Sequence, residues 1–221
     1  MRWFMKITVV TDIPNHWLLP YSAELVANLV ANHHQAILVQ QHHDIQQGDI
    51  CFFLGCGQIA KHETLVKNLN NLVIHESAVP KGRGWSPLSW QILEGKNIIP
   101  MTLLEANNGP VDSGDIYLQT NMAFHGHELI DELRVEQGKK TIELAMRFVA
   151  EYPQLIKRRQ EGTPTFYKQR KPQDSELDIN KPLTELFEHF RIVDNEKYPA
   201  FFYFRGKKYI LKIFKEDEVE S

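Results

Sequence analysis

The chain has 221 residues, 43% of them hydrophobic, and a formal net charge of −3 at pH 7. This length and composition fit one globular domain, or one domain with a small appendage. The slightly acidic balance argues against a nucleic-acid partner, which would need a basic face, and no apolar run is long enough to cross a membrane.

The compartment and the metal content are predicted from the N-terminus, the cysteines and the histidines. The first six residues do not resemble a signal peptide, because a strand-like run and polar residues follow at once, so we expect a cytoplasmic protein. Cys51 and Cys56 are the only cysteines and are interpreted as reduced thiols. A zinc site would need two more ligands, and adjacent histidines such as His42 and His43 point apart. We therefore predict no metal site.

Hydrophobic patterning in the first half of the chain predicts alternating strands and helices. Ser22 is expected to cap a helix whose apolar residues include Leu25 and Leu29, and a second helix is expected over residues 62–70. Strands are predicted over residues 5–11, 36–39, 49–54 and 72–74, the last ending on His75. This order predicts an α/β fold with a Rossmann-like, doubly wound and mostly parallel sheet.

The second half predicts the rest of the sheet and a smaller C-terminal unit. Its predicted elements are strands over residues 101–105 and 116–122, helices over 87–93, 127–152 and 182–191, and a hairpin of 200–204 with 208–213. Residues 154–174 are rich in basic residues and prolines and are interpreted as a connecting arm, whereas the acidic tail 215–221 is expected to fray. We divide the chain into a main domain, 1–153, and the arm with a small helix-plus-hairpin appendage, 154–221.

Two sequence blocks indicate chemistry rather than packing. The first comprises His75, Glu76, Ser77, Pro80, Arg83, Gly84, Pro87 and Trp90, and the second is Val-Asp-Ser-Gly-Asp at residues 111–115. A histidine that leaves a hydrophobic strand and an acid in a glycine-containing loop can form an acid/base pair. Without the surrounding motif, a structural role would explain both residues: His75 as a histidine at the end of a strand and Asp112 as a residue that forms a turn.

Both blocks resemble motifs of the 10-formyltetrahydrofolate-dependent formyltransferases. The block His-x-Ser-x-x-Pro-x-x-Arg-Gly-x-x-Pro-x-x-Trp of that family begins here at His75 without insertion, and its Val-Asp-x-Gly motif matches residues 111–114. A third stretch, with residues 169–175, Arg191 and residues 199–201, is similar to the segment after the catalytic domain of methionyl-tRNA and sugar-nucleotide amine formyltransferases. The resemblance covers residues 50–205, and it implies a doubly wound formyltransferase catalytic domain.

The resemblance also implies the catalytic residues. The family uses an asparagine two residues before the histidine, the histidine itself and the aspartate of the Val-Asp-x-Gly loop; His75 and Asp112 match, but Val73 occupies the asparagine position. Loss of such an oxyanion donor typically costs about a hundredfold to a thousandfold in rate. Three alternatives follow: another donor such as Asn121 or a backbone amide, an imidazolium at His75 that suffices by itself, or a weak or inactive relative. Asn71 shares a strand face with Val73 but sits about 7 Å away, too far to replace the donor.

Binding residues are likewise implied by the resemblance. The formyl donor, 10-formyltetrahydrofolate, is expected to lie against Gly55, Gly57, Gln58, Ile59, Leu104 and Val111. The amine substrate is expected to contact Ser77, Lys81, Arg83, Gly84, Trp85 and Arg191. Among these, Ser77 would fix the loop after the strand, Lys81 and Arg83 would bind a pyrophosphate or else lie in solvent as surface charges, and Trp85 would stack on a sugar or base.

The expected acceptor is the amine of a nucleotide-linked amino sugar, in bacterial surface glycan biosynthesis. About sixty residues follow Gly162, too few for the tRNA-binding barrel of methionyl-tRNA formyltransferases, and the third stretch disfavours glycinamide ribonucleotide. The alternatives are methionyl-tRNA or glycinamide ribonucleotide as the acceptor, or a catalytically weak or inactive relative that only binds folate. The aromatic residues Phe202, Phe204 and Tyr209 of the hairpin would either form a homodimer contact or cover the sheet.

Overall fold

The computed structural model describes residues 4–216. Its strands are β1 (Lys6–Val10), β2 (Gln35–Val39), β3 (Gly48–Phe53), β4 (Asn68–His75), β5 (Arg83–Gly84), β6 (Ile98–Glu105), β7 (Ile116–Ala123), β8 (Phe166–Tyr167), β9 (Ala200–Phe204) and β10 (Lys207–Leu211). Its α-helices are α1 (Leu19–Ala31), α2 (His62–Leu65), α3 (Pro87–Leu93), α4 (Ile130–Glu151) and α5 (Leu183–Ile192). No helix between residues 4 and 216 is both long enough and apolar enough to cross a membrane.

Six strands form the main sheet in the order β2-β1-β3-β4-β6-β7. β1 pairs in parallel with β2 and β3, and β3 pairs in parallel with β4. β6 is antiparallel to both β4 and β7 and is therefore the one reversed strand of this sheet. The predicted Rossmann-like, mostly parallel α/β fold is confirmed. Because the parallel strands end at the same edge, His75 at the end of β4 lies where such sheets bind ligands.

The helix predicted over residues 62–70 is wrong in its second half. It ends at Leu65, and Asn68 already belongs to β4. The side-chain Nδ2 of Asn71 donates to the Leu65 carbonyl at 2.8 Å and occupies the end of the short helix. Pairing with β3 therefore outweighs the helical pattern in this segment.

Ser22 is not the helix cap that the sequence predicted. α1 begins at Leu19, with a proline in its first turn that suits a helix start. Ser22 is consequently inside the helix, where its hydroxyl lies 2.8 Å from the hydroxyl of buried Thr11. This contact joins α1 to the end of β1.

The main hydrophobic core lies between the sheet and helices α1 and α4. Alternate residues of β3 divide between its two faces, so Ile50 and Phe52 enter this core whereas Cys51 and Phe53 pack in a smaller cluster on the other face. Phe148 of α4 is fully buried and meets Phe52 edge to face, with ring centroids 6.3 Å apart. Burial on both faces explains why β3 is a continuous apolar run.

The predicted connecting arm returns to the main sheet. Arg158 exchanges two backbone hydrogen bonds with Ile116 of β7, at 2.8 and 2.9 Å. In addition, β8 of the arm pairs with β5, which belongs to the sequence block that begins at His75. The segment 154–174 therefore forms part of the surroundings of that block. The division of the chain at residue 153 stays a prediction.

The C-terminal elements enclose a small core of their own, formed by Leu177, Leu186, Phe190, Val193 and Ala200. On the hairpin, Phe202 stacks on Tyr209 with ring centroids 5.4 Å apart, while Phe204 and Tyr209 are about half exposed. A homodimer contact at this hairpin stays a prediction. In the tail, Lys215 pairs with Glu132 at 2.8 Å, and residues 217–221 lie outside the described part of the chain.

Arg191 is a buried structural residue and not the substrate contact that was expected. Its side chain is inaccessible to solvent and does not line the cavity described below. Its Nη1 donates to Asn97 and Glu188, each at 2.8 Å, and its Nη2 lies 3.2 Å from Glu128. The guanidinium thus joins α5 to the segment that precedes α4.

Burial opposes ionisation of Glu128, but backbone N–H donors, including that of Gly126, outweigh it and lower the pKa of Glu128 to about 2.

Arg191→Met is expected to lower the free energy of unfolding by about 3–5 kcal/mol, because it leaves the buried Glu128 carboxylate without its cation. Chemical denaturation at neutral pH measures this loss. The matched control is Arg159→Met, at an exposed arginine, which should change little. In the wild type, ionised Glu128 contributes to the free energy of unfolding. This contribution is fully present above the ordinary pKa of 4.5 and is lost as the pH falls towards 2. Equal stabilities of the two variants would contradict a structural role for Arg191.

Candidate active site

A cavity of about 520 Å³ opens where β3 and β4 end. One wall consists of the two loops that follow β3 and β6, residues 54–60 and 105–113. A second wall consists of residues from α4, from the segment before α1 and from the C-terminal part of the chain. His75 lines the cavity at the end of β4.

His75 and Asp112 meet in this cavity. His75 Nδ1 lies 3.5 Å from Asp112 Oδ2, and both side chains are less than a tenth exposed. His75 Nε2 lies 2.7 Å from the carbonyl oxygen of Gly82. Because a carbonyl only accepts, Nε2 holds a proton, and Nδ1 is the nitrogen that can exchange one with its surroundings. The two residues that sequence motifs paired are therefore positioned for proton transfer.

The loop that holds Asp112 is fixed from both sides. Asp112 has a left-handed backbone, with φ of 54°, and its Oδ2 accepts a hydrogen bond from the Gly84 N–H at 2.9 Å. Gln160 donates to the carbonyls of Asp112 and Gly114, each at 2.7 Å. The sequence did not single out Gln160, because nothing in the arm's composition shows that it returns to this loop.

Arg83 does not bind a substrate phosphate as expected. It is buried, and its guanidinium donates twice to Gln160 Oε1, at 3.1 and 2.7 Å. It therefore holds Gln160, which in turn holds the Asp112 loop. Arginine's fork geometry suits this bidentate contact as well as it suits a phosphate, so residue type alone could not distinguish the two roles.

Ser77 and Lys81 also lie away from the cavity. Ser77 is buried, and its carbonyl accepts a hydrogen bond from Thr102 Oγ1 at 2.7 Å. This contact agrees with a role of Ser77 in fixing the loop after β4, but not with direct contact to the substrate. Lys81 is exposed and does not line the cavity. Gly84 and Trp85, by contrast, line it, and Trp85 is 38% exposed.

The six residues expected to contact the folate all line the cavity, namely Gly55, Gly57, Gln58, Ile59, Leu104 and Val111. Their first loop is held by Asp12, which follows β1. The Asp12 carboxylate accepts hydrogen bonds from the N–H groups of Gly57 at 2.6 Å and Gln58 at 3.1 Å, and it also contacts His42 Nε2 at 3.0 Å. Sequence reasoning missed Asp12, although its position directly after a parallel strand is a recognisable signal.

Cys56 completes a polar group with Asp12 and His42. The Cys56 Sγ, a carboxylate oxygen of Asp12 and a ring nitrogen of His42 lie within 4.8 Å of one another. The adjacent histidines in the sequence did not indicate this grouping. Burial raises the pKa of the Cys56 thiol to about 12, so it is protonated at neutral pH and can donate to the Val10 carbonyl, 3.5 Å away. Asp12 is in turn held by two backbone N–H groups, so the group serves to fix the loop at residues 55–58.

Val73 lines the cavity at the position where the motif would place an amide. Asn71 faces elsewhere, since its Nδ2 donates to the carbonyls of Leu65 and Asn68. Asn121 is exposed on β7 and does not line the cavity, so it is not the replacement donor that the sequence suggested. Of the replacements that the sequence suggested, a backbone N–H group and the ring of His75 remain.

The second wall carries charges that the motifs did not indicate. Arg134, Arg170 and Lys197 line it, and they come from α4, the arm and the loop after α5. Burial, followed by the charges of Arg134 and Lys197, lowers the pKa of His16 in the same wall to about 4, so His16 is neutral. Arg134 is paired with Asp194 of the same wall at 2.9 Å, so Arg170 and Lys197 are the two of these cations that can attract an anionic group.

Comparison with known proteins relates the chain to formyltransferases. It is 26% identical over 121 residues to a methionyl-tRNA formyltransferase of Fervidobacterium nodosum, covering 55% of this chain and 39% of that protein. It is 27% identical over 135 residues to a cytosolic 10-formyltetrahydrofolate dehydrogenase of Xenopus laevis, covering 59% of this chain and 14% of that protein. The chain thus spans well under two thirds of these curated relatives. No protein-family model matches it.

Solved structures show the same fold. A methionyl-tRNA formyltransferase from Clostridium thermocellum superposes with a TM-score of 0.80 at 18% identity, over 98% of this chain and 96% of that one. A sugar N-formyltransferase from a Shewanella species superposes with a TM-score of 0.67 at 16% identity, over 96% and 98% of the two chains. The chain is related to the formyltransferases in sequence and has their fold.

Proposed function

We propose that the chain transfers a formyl group from 10-formyltetrahydrofolate to the amine of a small acceptor. The observation that carries this proposal is the meeting of His75 and Asp112, 3.5 Å apart, in a cavity with one wall of loop backbone and another of charged side chains. Relatives named as a methionyl-tRNA formyltransferase and a 10-formyltetrahydrofolate dehydrogenase support the choice of formyl donor.

We assign a step to each residue. The acceptor nitrogen attacks the formyl carbon, and the developing oxyanion is stabilised by an imidazolium at His75 and by loop N–H groups. Asp112 faces His75 Nδ1 at 3.5 Å and orients the ring. When the oxyanion collapses, the bond from carbon to the folate nitrogen breaks, and His75 donates a proton to that nitrogen. Val73 adds apolar surface at this point and no donor.

The acceptor that fits best is the amine of a nucleotide-linked amino sugar. Arg170 and Lys197 in the second wall supply positive charge that suits a diphosphate, and Trp85 offers a partly exposed ring for stacking. The sugar N-formyltransferase with the same fold is in keeping with this choice. Such an acceptor would place the reaction in the biosynthesis of bacterial surface glycans.

Lys197→Met is expected to raise KM for a phosphate-bearing acceptor about fivefold to tenfold, because an exposed charge pair contributes about 1 kcal/mol. Lys197 Nζ donates to the Asn15 carbonyl at 3.0 Å and pairs with no carboxylate within residues 4–216, so its charge is available. KM for the folate should not change. Steady-state kinetics measures both values, and Lys139→Met, at an exposed lysine of α4, is the control. Equal effects of the two variants would contradict the assigned anion contact.

A second candidate function is folate binding without transfer, which Val73 favours. Incubation of the protein with 10-formyltetrahydrofolate and a panel of nucleotide amino sugars, methionyl-tRNA and glycinamide ribonucleotide separates the candidates. Acceptor-dependent release of tetrahydrofolate supports transfer and identifies the acceptor. Tight folate binding with no release across the panel supports the binding protein.

A further inference from the structure

Glu76 is a carboxyl group in the cavity that the motif pattern leaves without a role. It follows His75 directly, is half-buried and lines the cavity. Its position is fixed twice: Gln91 Nε2 donates to its carbonyl at 2.6 Å, and Gln137 Nε2 donates to its side-chain Oε1 at 2.7 Å. Gln137 belongs to α4, so the carboxyl is held towards the wall that also contains Arg134.

Asp112 is held at the histidine, whereas Glu76 is held at α4. Asp112 Oδ2 accepts the Gly84 N–H and also faces His75 Nδ1, so this oxygen is occupied in orienting the histidine. Glu76 Oε1 is held by the neutral side-chain amide of Gln137. The two carboxyl groups therefore differ in what holds them, since one faces the acid/base histidine and the other accepts from a neutral amide.

We propose that Glu76 accepts the proton that the acceptor's ammonium group must lose before it attacks. This role rests on the proposed formyl transfer. The N–H bond of the ammonium breaks, its proton moves to Glu76 Oε2 and the electron pair stays on nitrogen. The neutral nitrogen then bonds to the formyl carbon, and the carbonyl pair moves to oxygen. A second proton leaves the attacking nitrogen for His75 and replaces the one that His75 gives to the departing folate nitrogen.

The electrostatic surroundings suit such a proton acceptor. Burial raises the pKa of Glu76 above its ordinary value of 4.5, the nearby Asp112 carboxylate raises it further, and His75 and the Gln137 hydrogen bond act in the opposite direction. Arg134 and Lys197 line the same cavity, and Arg134 is paired with the Asp194 carboxylate at 2.9 Å. A carboxyl whose pKa is shifted towards neutrality removes a proton from an amine more effectively than one with an ordinary pKa.

Glu76→Gln keeps the shape of the side chain and removes its basicity. At a pH below the pKa of the acceptor amine, we expect kcat/KM to fall about a hundredfold or more. As the pH rises above that pKa, the acceptor arrives neutral and needs no base, so the deficit should shrink. The measurement is the pH profile of kcat/KM for wild type, Glu76→Gln and the control Glu63→Gln, whose side chain is exposed outside the cavity.

A second variant separates chemistry from folding. Gln137→Leu keeps the carboxyl and removes its hydrogen bond, and it should show a smaller deficit with the same dependence on pH. A deficit that is constant with pH in both variants, or no deficit in Glu76→Gln, overturns the role of Glu76 while formyl transfer by the wild type stands. A wild type that transfers no formyl group at any pH contradicts the proposed function, and the role of Glu76 then fails with it.

Discussion

His75→Asn is expected to lower kcat for formyl transfer by about a hundredfold to ten-thousandfold, the usual contribution of a positioned acid/base group. The asparagine amide can still donate to a carbonyl, but it cannot take up and release a proton opposite Asp112. Binding of the folate should change little, because the folate wall is built from other residues. Steady-state kinetics and folate titration measure these effects.

The control for this variant is His33→Asn. His33 is exposed and has a left-handed backbone with φ of 68°, which asparagine adopts readily. It should retain wild-type kcat and stability. If His75→Asn retained kcat within a few-fold of this control, His75 would not be the acid/base group.

Gly114→Ala is expected to abolish most activity and to lower the free energy of unfolding by about 1–3 kcal/mol or more. A Cβ at this position would overlap the backbone of Glu105, with its carbonyl carbon only 2.7 Å away. Strand β6 cannot retreat, because it is paired on both sides, so the loop must move and take Asp112 with it. Gln160, which bonds both Asp112 and Gly114, would lose its contacts at the same time.

Thermal denaturation and kinetics of Gly114→Ala test this expectation. Gly206→Ala in the hairpin turn is the control, since it has open space and costs only the strain of its left-handed backbone, about 1 kcal/mol. The control should keep full activity. A Gly114→Ala variant with wild-type activity would show that the position of the Asp112 loop does not matter for catalysis.

The sequence was sufficient where local rules decide the structure. Short apolar runs predicted the strands, and the histidine at the end of one of them was expected to meet an acid of a glycine-containing loop, as His75 meets Asp112. The helix Pro87–Leu93 was predicted at its observed bounds, because a proline starts it and Gly95 follows it. By contrast, residues 68–70 follow a helical pattern but pair with β3, which a local rule cannot foresee.

Charged residues were the least informative sequence feature for locating the substrate contacts. Lys81, Arg83 and Arg191 were all expected at the substrate, yet one is exposed away from the cavity and two are buried in structural contacts. Whether a cation meets a phosphate or a carboxylate depends on which distant segments approach it. The cations that do line the cavity, such as Arg134 and Lys197, are separated by about sixty positions and are brought together only by the fold.

The supporting residues were missed for the same reason. Asp12, Gln160 and Gln137 each lie far in sequence from the group they hold. Glu76 was visible within the motif, but its role depends on Gln137 from α4 and on the burial that this packing produces. Polar residues of this kind acquire their chemistry from tertiary contacts.

The most direct test of the account follows the formyl carbon. The protein is incubated with 10-formyltetrahydrofolate labelled with ¹³C in the formyl group and with a nucleotide amino sugar, and the label is located by mass spectrometry. The account predicts the label on the acceptor amine, at a rate that falls at least a hundredfold in His75→Asn and in Asp112→Asn. Label found only in free formate, or on the acceptor at equal rates in wild type and both variants, would contradict it.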